Sequence, residues 1–330
     1  MHALTKLAIG VALAGSGCRT IFDLPDPIGI DGGTVDAAPP VGLHNHYVIA
    51  HERAPVSAVT GSLYGLDLDG DANVDNALAK VGATLSAMGF DVEGETNRLV
   101  DRGTILMLLD LQTTDFMTAT AVGLTVIAGA NARPAPCTSD SDGVCRHHLD
   151  GTGLFDRAVS PAAGPALVGS IEAGVYTTPV SPASRVTLET DFAGVGRVDL
   201  PLIGVRAKAT GMTGMGLTSV TIAGAIEVSA MTGVVLPALV AGYNAAIDRD
   251  CARSVGPPTC GCLSASTGQI TVALLDGNVP SSQRDCTITM DEVQRNTVLQ
   301  PLFAPDVMID GRAATSVGFQ FDAVVGKFPP

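Results

Sequence analysis

The chain has 330 residues, with 19 Lys and Arg against 33 Asp and Glu, 38 glycines, 20 prolines, seven cysteines and no tryptophan. A formal charge of −14 argues against a nucleic-acid partner, because phosphate recognition needs a basic face. A charged fraction of 16% with so much glycine and proline suits a turn-rich β protein better than a helical one.

Residues 1–17 read as an export signal: His2 and Lys6 precede an apolar run from Leu7 to Ala14 and the small residues Gly15-Ser16-Gly17. The run is too short for a membrane span and suits a cleaved segment. Cys18 is then the expected site of lipidation. Acyl chains bury methylenes at about 0.8 kcal/mol each and hold a protein to a membrane. Gly15 departs from the Leu, Val or Ile usual at that place in a bacterial lipobox, which leaves secretion with a spare thiol as the alternative. Arg19, where Asp would signal inner-membrane retention, points to the bacterial outer membrane. Residues 18–41 form the lipid anchor and a flexible tether rich in Pro, Gly and Asp. Residues 42–330 make one domain, near the upper size limit for a single core. Its most apolar stretch, Gly233 to Ala246, is broken by Pro237 and falls short of the roughly 20 residues of a membrane helix.

Along that domain, Asn73 to Met88 predicts a helix with Val74, Leu78, Val81 and Leu85 on one stripe. Thr104 to Gln112 and Ala121 to Ala130 are apolar runs of strand character. Ser184 to Asp191 alternates, with Val186 and Leu188 opposite Arg185, Thr187 and Glu189. Gly196 to Ala207 and Leu217 to Met231 continue the pattern, joined by a hairpin connection at Gly211-Met212-Thr213-Gly214. Helices follow over Leu236 to Ile247 and Asp291 to Leu302, the latter capped by Thr289 with Glu292. A last strand sets Phe319, Phe321, Ala323 and Val325 on one face. The similar segments Thr125–Ala130 and Thr221–Ala225 read as two strands of like composition. The fold class is mainly β: an antiparallel β-sandwich or jelly-roll-like body with a few helices.

Asp67, Asp69, Asp71, Asn73 and Asp75 alternate along a tight loop and can direct several oxygens at a hard cation such as calcium. Glycine at loop position four, Ala72 at six and Leu78 at twelve depart from an EF-hand. The competing reading is an acidic, solvated turn in which Asn73 or Asp75 caps the next helix. A second, degenerate loop runs through Asp276, Asn278, Asp285 and Glu292, and its helical flanks suggest an EF-hand-like helix-loop-helix pinned by Cys286.

Without Cys18, six cysteines remain, and an oxidising compartment favours disulfides over zinc. Cys137 and Cys145 pair locally. The others allow Cys251–Cys260 with Cys262–Cys286, or Cys251–Cys262 with Cys260–Cys286. His44, His46 and His51 can share a strand, and His147 and His148 lie near Asp142 and Asp150. Neither set shows a third metal ligand beside its histidines, so both read as surface residues. H-E-x-x-H, G-x-S-x-G and a phosphate-cradling glycine loop are all absent from the sequence.

The run Gly65-Leu-Asp-Leu-Asp-Gly-Asp-Ala-Asn-Val-Asp-Asn-Ala-Leu78 resembles a signature of predicted exported lipoproteins of myxobacteria and related bacteria. So do Cys145-Arg-His-His-Leu-Asp-Gly-Thr152, the Asp250-Cys251 junction and Asp285-Cys286-Thr-Ile-Thr-Met-Asp-Glu292. Pro305-Asp306 and Ser316-Val-Gly-Phe319 complete a likeness spanning most of residues 47 to 328. It implies an intact domain and carries no assigned activity; the excursion from Val279 to Arg284 departs from the family's more compact loop. The expectation is a non-enzymatic, lipid-anchored envelope protein with a structural calcium site, binding an unknown protein or polysaccharide and touching membrane only through its lipid. The alternative is a secreted hydrolase of polysaccharide or peptide, which would need a deep cleft with two facing carboxylates of raised pKa.

Overall fold

The computed structural model describes residues 38–87, 91–139, 141–191 and 196–329. The expected signal segment, the lipidation site Cys18 and the tether up to residue 37 lie outside the described residues. Eleven strands follow in chain order: β1 (Leu43–Arg53), β2 (Met107–Thr113), β3 (Ala119–Arg133), β4 (Leu154–Arg157), β5 (Leu167–Glu172) and β6 (Val175–Thr177), then β7 (Arg185–Asp191), β8 (Arg197–Thr213), β9 (Gly216–Glu227), β10 (Val307–Ile309) and β11 (Arg312–Val325). Every pairing between them is antiparallel. The order β1-β2-β3-β5-β6-β8-β9-β11 returns to β1, so eight strands form a closed ladder, and β4, β7 and β10 attach to β3, β8 and β11.

The antiparallel, mainly-β class therefore holds, and closure through β1–β11 joins what would be separate layers into one sheet. Closure pairs the eight ladder strands on both sides, so the free edges that invite strand addition fall on β4, β7 and β10. Tyr47, Leu109, Leu124, Ile171, Ile222 and Phe321 are buried along this ladder. Successive residues Leu108 and Leu109 are both fully buried, so both faces of β2 are covered. Helices supply part of that cover: α1 (Ala58–Tyr64) and α2 (Leu78–Ala87) lie against β11, and α3 (Val92–Asp101) lies against β1 and β7.

The helix expected from Asn73 begins only at Leu78 and leaves Val74 exposed outside it; three further predicted elements shift, each for a local reason. The β8–β9 turn falls at Gly214-Met215, because Thr213 pairs with Gly216, and not at Gly211. Gly211 stays in the ladder at φ +61°, where a Cβ would sit 1.9 Å from Thr218 Oγ1; that close approach across the strands requires the glycine. The strand predicted to reach Met231 stops at Glu227, and α4 (Val228–Ala230), a π turn and α5 (Leu236–Asp250) follow. The π turn takes up Pro237, which has no N–H for the helical ladder. The helix expected over Asp291 to Leu302 is shorter. With α6 (Thr267–Leu274) in place before it, α7 (Met290–Arg295) starts on the expected Thr289–Glu292 capping box. It ends where Asn296 Oδ1 accepts the N–H groups of Val298 and Leu299, a side chain competing with the helical ladder.

Val228–Asp250 spans 23 residues and contains an 18-residue stretch of mean hydropathy 1.5, long and apolar enough by length and composition to cross a membrane. That corrects the sequence reading, which broke the segment at Pro237. Its Leu236, Leu239, Tyr243, Ala246 and Ile247 are buried, with α6 and α7 alongside.

The cysteines pair as Cys137–Cys145, Cys251–Cys262 and Cys260–Cys286, deciding between the two arrangements that spacing allowed. Gly318 of β11 marks the closest approach of α1: a Cβ there would lie 2.3 Å from the Tyr64 carbonyl oxygen. Gly318→Ala should destabilise the fold by about 1–3 kcal/mol through overpacking. A urea titration with an unchanged midpoint would show that α1 is free to move.

Candidate metal sites

Asp67, Asp69 and Asp71 each offer a carboxylate oxygen, and these oxygens lie within 4.8 Å of one another. The loop is shaped by its own carboxylates. Asp67 accepts the N–H groups of Gly70 (2.6 Å) and Ala72 (3.2 Å), Asp69 accepts that of Asp71 (3.2 Å), and Asp71 accepts that of Asn73 (2.8 Å). Gly70 and Ala72 adopt positive φ of +88° and +68°, so the backbone curls tightly under the three acids. Arg206 Nη1 donates to the Asp67 carbonyl at 2.5 Å and ties the loop to β8.

Asn73 and Asp75 stand differently. Asn73 Nδ2 donates to Asp71 Oδ2 (2.7 Å), and Asp75 Oδ2 accepts the Leu68 N–H (2.7 Å). Burial, with the negative charges of Asp69, Asp71 and Asp306 adding to it, pushes the Asp75 carboxyl up to about 6. Neither residue caps α2: that helix begins at Leu78, and Ala77 N–H just before it donates to Ser316 Oγ at 2.8 Å. The capping reading of the acidic run is thus corrected. Three carboxylates converge, and the six- to eight-oxygen shell that calcium prefers has places beyond them for water.

The second loop is not an EF-hand. Helices α6 and α7 do flank it, but Asp276 is fully buried and its carboxylate accepts the N–H groups of Asp285 and Cys286. Asp285 accepts from Thr287, Asn278 Nδ2 donates to the Leu274 carbonyl, and Glu292 closes the α7 capping box. These side chains are spent on folding the loop. Asp276 approaches Cys260 and Cys286 as a potential ligand group, but both sulfurs are consumed in their disulfide.

The histidines separate. His51 lies beyond an irregularity in β1 and faces Glu93 at 3.8 Å. His147 Nε2 reaches Asp142 Oδ2 at 3.1 Å, and backbone N–H groups from Thr138 and Val144 hold that carboxyl well below the usual carboxylate range. His148 is fully buried, and burial pulls its imidazole down to about 4. Asp150 is engaged by Thr152. His44 and His46, by contrast, converge with Asp110 of β2, and the ligand atoms of the three lie within 4.8 Å of one another. Asp110 is the residue that sequence reasoning missed; it sits 64 positions from its register partner His46, with no local signal to link them.

Carboxylates of raised pKa occur in the interior. Burial pushes Glu52 up to about 8 and Glu189 up to about 7. The cavity lined by Asp191, Phe319 and neighbouring apolar residues holds only about 20 Å³, room for a water and not for a sugar ring.

Comparison of the chain with protein-family models, with curated proteins and with solved structures finds no match.

Proposed function

We propose that this is an exported envelope protein, lipid-anchored at Cys18 and placed at the bacterial outer membrane, whose β body has a non-enzymatic binding or structural role. In this reading calcium seats on Asp67, Asp69 and Asp71 and fixes the loop between α1 and α2, presenting that end of the body to a protein or polysaccharide partner. The observation that carries it is the convergence of the three carboxylates, which repel one another unless a cation or solvent screens them. Three disulfides indicate an extracytoplasmic setting, which agrees with export. The family likeness to predicted myxobacterial lipoproteins points the same way.

The full chain, produced through an oxidising compartment, should melt on the order of 5 °C higher with calcium in large excess over Kd than with EDTA. Asp69→Ala combined with Asp71→Ala should abolish the difference. Melting indifferent to calcium at every concentration would overturn the calcium reading and leave the loop a solvated turn.

A further inference from the structure

We propose that His44, His46 and Asp110 form a second, chemically different metal site, one for a divalent transition-metal ion of the zinc class. His44 and His46 are two apart on β1 and so project to one face. Asp110 is the register partner of His46 on β2, which sets its side chain beside the same face. One carboxylate oxygen of Asp110 lies 2.8 Å from His44 Nδ1, and the other lies 3.8 Å from His46 Nε2. Four ligands about 2.1 Å from a tetrahedral ion are separated from one another by about 3.4 Å. Small ring rotations therefore bring all three onto one ion.

A second observation points to a missing partner. His46 Nε2 is buried and makes no hydrogen bond, a state that native interiors avoid because the desolvated nitrogen goes uncompensated. The Asp110 side chain is only 8% exposed. The His46 ring is stacked on Phe328 with centroids 4.1 Å apart, and its backbone carbonyl accepts the Gly326 N–H at 3.0 Å, so the ring is held ready.

Two imidazoles and one carboxylate select zinc, copper or nickel over calcium, which prefers oxygen alone. The His44 side chain is 46% exposed, so the open coordination position faces solvent. With a single carboxylate in the set, a bound divalent ion keeps a net positive charge, so the open position favours an anionic ligand such as hydroxide or a carboxylate.

The competing account is a His44–Asp110 hydrogen bond with no metal. Untagged full chain, stripped with EDTA, should be titrated with Zn²⁺ by equilibrium dialysis and with Co²⁺ by visible spectroscopy. The expected result is one His44-dependent zinc ion per chain and the visible bands of low-symmetry Co²⁺. His44→Ala, at a half-exposed position that should fold normally, should weaken zinc at least about tenfold, and Asp110→Asn and His46→Gln should do likewise. Asp69→Ala plus Asp71→Ala should leave zinc affinity unchanged while removing the calcium response, which keeps the two sites apart. Absence of zinc binding by the unaltered chain would overturn the site, and so would affinity unmoved by His44→Ala.

Discussion

Glu52→Gln should stabilise the protein by about 3 kcal/mol at pH 8 and destabilise it by about 1–2 kcal/mol at pH 4.5, where only the cost of the unpartnered amide remains. Glu52 is buried in β1, and its Oε1 accepts the Thr190 hydroxyl at 2.6 Å. Burial is the main cause of its rise to about 8, and the negative charges of Asp191 and Glu93 add to it. A carboxyl whose pKa is raised by folding contributes stability that is complete below the unfolded value. That stability is lost as pH climbs through the folded value. The window here runs from about 4.5 to about 8, and at about 1.4 kcal/mol per unit the full loss is about 5 kcal/mol. Glutamine keeps the oxygen for Thr190 and never ionises. Its amide nitrogen, placed where Oε2 has no hydrogen-bond partner, returns about 1–3 kcal/mol of the gain. Urea unfolding across this range should show a slope in the unaltered protein that the variant largely lacks. Glu189, raised by burial to about 7, leaves a residual slope of the same sign up to that pH. His148, lowered by burial to about 4, acts oppositely: its contribution is present above about 6.5 and lost as pH falls through about 4. Parallel profiles for the two proteins would mean that Glu52 finds a compensating cation or water when it ionises.

Glu52 also shows what a sequence conceals. In Leu43–Arg53 it looks like any charged residue of an alternating strand, and only the covering of β1 by α3 makes it internal. The same blindness misplaced Asp276, whose spacing from Glu292 suggested a cation loop although its carboxylate is a buried acceptor for backbone N–H groups. Spacing records what is near along the chain and says nothing of burial. Features that depend on neighbours in sequence were legible: the Thr289–Glu292 capping box, the inward Val186 and Leu188 of β7, and the short Cys137–Cys145 bridge. Features set by long-range register were not. The β1–β11 closure, the choice between two disulfide pairings, and the meeting of His46 with Asp110 all depend on which strands become neighbours. The acidic loop stands between these cases. Its three leading carboxylates converge as their alternation implied, while Asp75 is drawn away by the Leu68 N–H, a contact that no count of carboxylates foretells.

Removing the Cys260–Cys286 bridge should lower stability by about 3.5 kcal/mol, against about 2.5 kcal/mol for Cys137–Cys145. The first figure follows from a sequence separation of 26 and the second from one of 8, because a longer closed loop removes more entropy from the unfolded chain. Native packing should widen the gap. Cys260 and Cys286 are 0% and 1% exposed and belong to the main core, whereas the Cys137–Cys145 bridge borders an open hollow of about 590 Å³. The bridge also holds the loop that satisfies Asp276: Cys286 donates its backbone N–H to that buried carboxylate at 3.1 Å. If the loop loosens, a buried charge loses a donor, at a further cost of about 1–3 kcal/mol. Cys260→Ala with Cys286→Ala should therefore show the lower urea midpoint of the two double variants, together with faster amide exchange at Asp285 and at position 286. A gap of only about 1 kcal/mol would assign both bridges to the unfolded chain alone and leave Asp276 anchored without the disulfide.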